Sequence, residues 1–339
     1  MRLDGKEFFK KIIGKVSNII GVCGKDYKIV AILPGKGDSF WDAIRKRINR
    51  WDNGLPKRIN IEIESIEGYN KYDQQINIMN KYLKGKLDAA IIGPTSSSKI
   101  VPAIKKYNIN RVPIVLVDSK LRDVRLQSVK AEYNFYVGSK NRNIGEVAAN
   151  IVSRRVQNRQ KVRICVVGGN PGHQTAIARR RSFVDNLRDI DEDDVEIRDA
   201  DWERSTAASV MRFFLNDGYP DAVFAMSGAM TVGAIDAIKA ARIYENHNRI
   251  SEKSEQWPVV VGVDAMDTVE HSEEIQLGDD NELDNCNTSI CYSINQQPKK
   301  IANKSVIKSV MCILEKDTTN KEDIKLPVIN YELCAPCIE

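Results

Sequence analysis

From Tyr27 onward, short runs of β-branched and aliphatic residues alternate with longer stretches of helical period, and after about a hundred residues the series restarts. The first series reads as strands at Lys28–Leu33, Asn60–Ile66, Ala89–Ile92 and Pro113–Val117, with helices at Phe40–Trp51, Asp73–Leu83 and Ile100–Tyr107 between them. Asp38 or Ser39 is expected to cap the first helix. The second series places strands at Phe135–Val137, Arg163–Val167, Val195–Arg198, Ala222–Ala225 and Val259–Val263. Its helices are Ile144–Val156, with small residues along one side, Ala176–Leu187, Ala207–Asn216 and Thr231–Arg242. Strands separated by helical crossovers pair in parallel, because each crossover returns the chain to the same end of the sheet. Two such series predict an α/β chain of two doubly wound parallel-sheet lobes. Tyr244–Gln256 and Gly278–Cys286, polar and without period, read as surface insertions.

A length of 339 residues suits two such lobes better than one core. The 51 basic against 46 acidic residues leave +5, dispersed along the chain, which argues against a nucleic-acid surface. No window approaches the roughly 20 apolar residues of a spanning helix. Residues 1–27 carry apolar positions at helical spacing, from Phe8 and Phe9 through Ile12, Ile13 and Val16 to Ile19 and Ile20, interrupted by lysines. They read as an amphipathic helix leading into the fold, with a docking or membrane-surface helix as the alternative. The charged opening lacks the apolar run of a secretory signal. Seven Cys with no repeating framework suit reduced thiols. Both point to the cytoplasm as the sequence stands, and to the periplasm or the extracellular space if a signal was removed.

In open parallel sheets, ligands bind outside the carboxyl ends of the strands. Asp38, Phe40 and Trp41 follow the first strand and Asp118 the fourth. GGNPGHQ and Arg179 follow Arg163–Val167, Asp201 and Trp202 follow Val195–Arg198, Ser227 follows Ala222–Ala225, and Asp264 follows Val259–Val263. Carboxylates accept from hydroxyls, a guanidinium donates in a planar fork, and flat rings cover the C–H faces of a sugar. The set suits a polyhydroxylated small molecule. Each residue also has a plainer reading: the tryptophans as packing, the aspartates as caps or turn residues, and one of the three consecutive arginines as a solvated charge.

These segments resemble the type I periplasmic-binding-protein superfamily, which comprises sugar-binding receptors and the effector domains of lac-repressor-type regulators. DSFW resembles its Asn-x-aromatic-aromatic entry, and DQQINIMNKYLKGKLDAAIIGPTSS its Gln-bearing helix, strand and Pro. IVPAIKKYNINRVPIVLVDS, YVGSKNRNIGEVAA, ARRRSFVDNL, DADWERSTA, VVVGVD and SINQQP follow in the family's order, from Lys28 to the C-terminus. The resemblance implies a ligand cleft between two lobes joined by a three-strand hinge, near Gly138, Asp264–Met266 with Gln296, and Pro327. The N-terminal lobe would be 28–138 with 297–326, and the C-terminal lobe 139–296 with 327–339. The implied pocket is Asp38, Phe40, Trp41, Asp118, Arg179, Trp202, Ser227, Asp264 and Gln296, with the aromatics stacking and Asp118, Asp264 and Arg179 holding hydroxyls. The chain departs from the pattern at Ser227-Gly228, where the family often has Asn-Asp, at Lys140 for an Asp, and at Asp38 for an Asn. Those departures widen the ligand class to modified sugars, polyols, nucleosides and cations.

Other functions find less in the sequence. GGNPG does not have the G-x-G-x-x-G spacing, and of three His only His173 falls near the strand ends. No catalytic residue, cofactor or metal is therefore expected. Cys334 and Cys337 supply two thiolates without a second pair, and read as free thiols or a terminal disulfide. Residues 1–27 are too few for a helix-turn-helix headpiece, so no direct DNA contact is expected. The expected partners are a sugar-like ligand and a protein that reads lobe closure. The chain is then either a sensor or the exported solute-binding component of an ABC-type transporter.

Overall fold

In the computed structural model the described residues are 25–52, 57–157, 159–248, 257–264, 272–276, 291–317 and 332–333. The chain folds into two compact units. One takes in Trp41–Gly138 with the first strand and Pro298–Glu332; the other takes in Ser139–Gln297 with Asp38–Phe40 and Leu333–Glu339.

The first unit runs β1 (Tyr27–Leu33), α1 (Ser39–Asp52), β2 (Ile59–Ser65), α2 (Tyr72–Tyr82), β3 (Ala89–Ile92), α3 (Val101–Ile109), β4 (Ile114–Val117), α4 (Asp123–Val129) and β5 (Phe135–Ser139). The second runs α5 (Asn141–Val156), β6 (Ile164–Gly168), α6 (Gln174–Asp185), β7 (Val195–Asp199) and α7 (Arg204–Leu215). It continues through β8 (Ala222–Ala225), α8 (Gly228–Asn248), β9 (Val259–Val263), β10 (Ser272–Gln276) and β11 (Cys291–Asn295). Two further elements complete the chain, α9 (Pro298–Asp317) and β12 (Glu332–Leu333).

The sheets have the orders β12-β5-β4-β3-β1-β2 and β10-β11-β9-β8-β6-β7, with β1 to β5 and β6 to β11 paired in parallel. In each sheet the strand order reverses at one point, between β1 and β3 and between β6 and β8. Such a reversal opens a crevice at the carboxyl strand ends. The central strands are buried along their whole length: AAII, IVLV and AVFA have no exposed residue, because helices cover both sheet faces. Phe40, Trp41, Ile44, Ile48 and Trp51 form the apolar stripe of α1. Asn303 of α9 accepts from Arg47 Nε at 2.7 Å and from Trp51 Nε1 at 2.9 Å, which ties α9 to α1. The small residues along α5 have a packing reason. A Cβ on Gly145 would collide with the α6 backbone at Arg179 and lie 2.7 Å from Phe183 N.

Three details differ from the expectation. Helix α4 carries a single buried residue, Leu126, too little for an apolar stripe to announce it. Helix α8 continues to Asn248, so the supposed insertion from Tyr244 begins as helix. The chain passes between units at Gly37–Asp38, Phe40–Trp41, Gly138–Ser139, Gln297–Pro298 and Glu332–Leu333, and Asp264 lies inside the second unit. Residues 1–24, Met266, His271, Gly278–Cys286, Pro327, Cys334 and Cys337 lie outside the described residues.

Candidate ligand-binding site

In the first unit the fourth strand ends in an unusual turn. Asp118 has φ +65°, and the Ser119 amide donates to Val117 O at 2.8 Å across it. Left-handed backbone is uncommon outside glycine, and a three-residue turn of this kind is strained. Tyr136 Oη donates to Asp118 O at 2.7 Å, and Ser119 Oγ donates to the Asp118 carboxylate at 3.2 Å. Nearby, at the point where strand order reverses, Gln75 of α2 is fully buried. Its Nε2 donates to Gly93 O at 2.8 Å, while its Oε1 accepts from the amide and hydroxyl of Thr95. The indole of Trp41 lies across Gly35 and Gly93, where added Cβ atoms would meet it at 2.6 and 2.7 Å. Trp41 is thus seated by packing on its own sheet. Asp38 and Phe40 belong to the second unit: Asp38, half-buried, stands before the first helical residue, Ser39, and Phe40 is buried.

The second unit gathers Arg179, Trp202, Ser227, Asp264 and Gln296 from the ends of β7, β8, β9 and β11 and from α6. Arg179 is 2% exposed, which for a guanidinium demands partners. It donates from Nε to Asn141 Oδ1 at 2.9 Å, from Nη2 to Gln296 Oε1 at 2.7 Å, and from Nη1 to Met226 O. Gln296 in turn donates to Asp264, from its amide at 2.7 Å and from Nε2 at 2.6 Å. The side chain of Gln296 therefore links a buried cation to an anion. Asp264, like Asp118, has positive φ, +54°. Burial drives its carboxyl up to about 7, against the two Gln296 donors and Arg179, which favour the ionised form. The residue as a whole keeps some exposed surface, but its carboxyl group is the enclosed part, and loss of solvation there decides the shift.

Ser227 Oγ accepts from the Met230 amide at 3.3 Å and caps α8. Its O–H remains a donor for another partner. The neighbouring Gly228 explains one departure from the family pattern. A Cβ there would come within 2.5 Å of Asp264 O, so the close approach of the Asp264 turn excludes an Asp. Trp202, at φ +68°, lies on Gly169 and donates from Nε1 to His173 Nδ1 at 2.9 Å, with the Arg179 guanidinium 5.8 Å from its ring. The Gly-rich turn is built by Asn170, whose Oδ1 accepts from Gly172 N at 2.7 Å and whose Nδ2 donates to Asp201 at 3.0 Å. Of the consecutive arginines, Arg180 pairs with Asp199 and Arg181 with Asp185.

Sequence reasoning missed Tyr136, Asn141 and Gln75, and named His173 only for its nearness to the strand ends. A signal existed for Asn141, which stands beside Lys140 in the YVGSKNRN segment. No local signal marks Tyr136, since its partner is distant in sequence.

The sequence model of the periplasmic binding protein domain matches residues 29–306. The chain belongs to that family. Among curated relatives, the ribose import binding protein of Bacillus subtilis is 25% identical over 272 residues, covering 74% of this chain and 84% of that protein. The crystal structure of an ABC transporter periplasmic solute-binding protein from Actinobacillus succinogenes, with bound D-allose, aligns at a TM-score of 0.67. It is 20% identical and covers 87% of this chain and 94% of its own. An ABC transporter solute-binding protein from Bacillus halodurans, with bound myo-inositol, aligns at 0.66 with 19% identity, covering 87% and 91%. These likenesses show the type I periplasmic-binding-protein fold, two α/β units each built on a parallel sheet. Among the described residues, no helix is long and apolar enough to cross a membrane.

Proposed function

We propose that this periplasmic-binding-protein chain is a receptor, without a catalytic step, for a small polyhydroxylated ligand such as a sugar or cyclic polyol. The observation that carries the reading is the pairing of two strand-end aspartates, Asp118 and Asp264, both at positive φ and one in each unit. Backbone held in sparsely populated conformations at the carboxyl ends of parallel strands marks places where side-chain aim is worth the strain. Asp118, Asp264 and the Ser227 hydroxyl serve as ligand hydrogen-bond partners, Arg179 and Gln296 hold Asp264 in place, and Trp202 supplies a flat ring. Asp38, Phe40 and Trp41 complete the site from the start of α1. The relatives named above, a ribose import binding protein and two solute-binding proteins with bound D-allose and myo-inositol, support the ligand class.

A ligand that binds one conformation of the chain better than the others shifts the population toward it. That population shift is what a transporter or a signalling partner would read. Both of those structures are solute-binding proteins of ABC transporters, which supports the transport role. A thermal-shift screen of pentoses, hexoses, cyclic polyols, nucleosides and amino acids tests the proposal. A ligand at about 100 times its Kd adds about 2.7 kcal/mol to stability. The expected result is a rise in Tm with a sugar or polyol; a rise confined to amino acids or nucleosides would overturn the ligand class.

A further inference from the structure

The turn at Asp118 is held by groups that no ligand needs to touch. Its amide donates to Val137 O at 3.0 Å, which fixes the turn to β5 on one side. Its carbonyl accepts from Tyr136 Oη at 2.7 Å, from the residue that precedes Val137 in the same strand. Gly138 makes room for that hydroxyl: a Cβ there would collide with Tyr136 Oη and lie 3.1 Å from Asp118 O. Lys120 Nζ sits over the Tyr136 ring, 4.8 Å from its centroid. Tyr136 itself is 8% exposed, so its hydroxyl is committed to a buried contact. The arrangement therefore fixes the backbone of Asp118 at two points, and with it the direction in which the carboxylate leaves the sheet.

We propose that Tyr136, with the space left by Gly138, clamps the strained Asp118 turn and so acts as a positioning residue for the Asp118 carboxylate. The inference rests on the reading of Asp118 as a ligand residue, and it adds a residue, Tyr136, on which affinity depends through the Asp118 backbone. A turn at φ +65° relaxes when its support is removed, since an aspartate has lower-energy backbone conformations available. The relaxed turn presents the carboxylate in several directions, and binding must then order it again.

Tyr136→Phe removes the hydroxyl and keeps the ring. Amide hydrogen exchange on the full chain, without ligand, reads the turn directly through the Ser119 amide, which bonds across it. The loss of one buried hydrogen bond predicts exchange at Ser119 faster by about tenfold, with β4 amides and Tm little changed. Unchanged exchange at Ser119 overturns the clamp whatever the ligand proves to be. Calorimetric titration with D-ribose, D-allose and myo-inositol is the second arm. Affinity for whichever of them binds is expected to fall about tenfold in Tyr136→Phe and to vanish in Asp118→Ala. Full binding by Asp118→Ala would refute the ligand role of Asp118 and leave the exchange result to judge the clamp. Gly138→Ala is expected to reproduce the Tyr136→Phe exchange change, because its methyl displaces the hydroxyl; normal exchange in that variant also overturns the clamp.

Discussion

The two units end their fourth strand in the same way and support that end differently. Asp118 donates its amide to Val137 O in β5, and Asp264 donates its amide to Ile294 O in β11, each at 3.0 Å. Both have positive φ, and each carbonyl lies against a glycine, Gly138 in one unit and Gly228 in the other. By this register Tyr136 holds the place in β5 that Ser293 holds in β11. Ser139 likewise matches Gln296. The first unit grips the backbone of its aspartate, through Tyr136 Oη, and touches the carboxylate with one hydroxyl from Ser119. The second grips the carboxylate itself, through Gln296 and behind it Arg179. The same turn is thus stabilised by a neutral clamp in one unit and by a buried charge relay in the other. The second should be costly to break and sensitive to pH.

The largest effect is expected from Arg179→Met. It leaves Asn141 Oδ1, Met226 O and Gln296 Oε1 without their donor and Asp264 without its distant counter-charge. A loss of about 3–5 kcal/mol in urea unfolding is expected. A loss below about 1 kcal/mol would show that the relay contributes little.

Asp264→Asn should weaken sugar binding about a hundredfold while changing stability in a pH-dependent way. The folded-state value, about 7, lies above that of an unfolded aspartate. The unfolded chain therefore loses this proton first. The penalty for a buried charge is absent below about pH 4, grows between pH 4 and 7, and is complete above 7. Relative to the natural chain, Asp264→Asn should gain stability as pH rises through that window. A stability difference that does not vary with pH would contradict the burial argument.

Much of this was legible in advance, and for physical reasons. The strands AAII, IVLV and AVFA are short apolar runs ended by turn residues, which only a buried parallel strand explains well. Asp118, Arg179 and Asp264 stand out in the sequence because they follow the carboxyl ends of parallel strands, and Gln296 through the resemblance of SINQQP to the family pattern. What escaped were contacts between residues distant in sequence. Asn141 meets Arg179 across the α5–α6 packing, and Tyr136 reaches Asp118 only because Gly138 has no side chain. Trp202 was read as a stacking ring, and its bond to His173 depends on a turn conformation that composition does not reveal. Helix α4 escaped for lack of an apolar stripe.

A smaller effect sharpens the comparison from the first unit. Asp118→Gly should abolish binding yet leave stability unchanged or raised by up to about 1 kcal/mol, since glycine adopts positive φ without strain. Ser119→Ala should be the mildest, lowering affinity only a few fold through the lost hydroxyl on the carboxylate. A destabilisation by Asp118→Gly as large as that of Arg179→Met would erase the distinction between clamp and relay.

The most direct test of the account is calorimetric titration of the natural chain, Asp118→Ala and Asp264→Asn with D-ribose, D-allose and myo-inositol. Saturable binding of at least one of them is predicted for the natural chain, with loss in each single variant although the substitutions lie in different units. Binding that survives either substitution at full affinity would contradict a site that uses both aspartates.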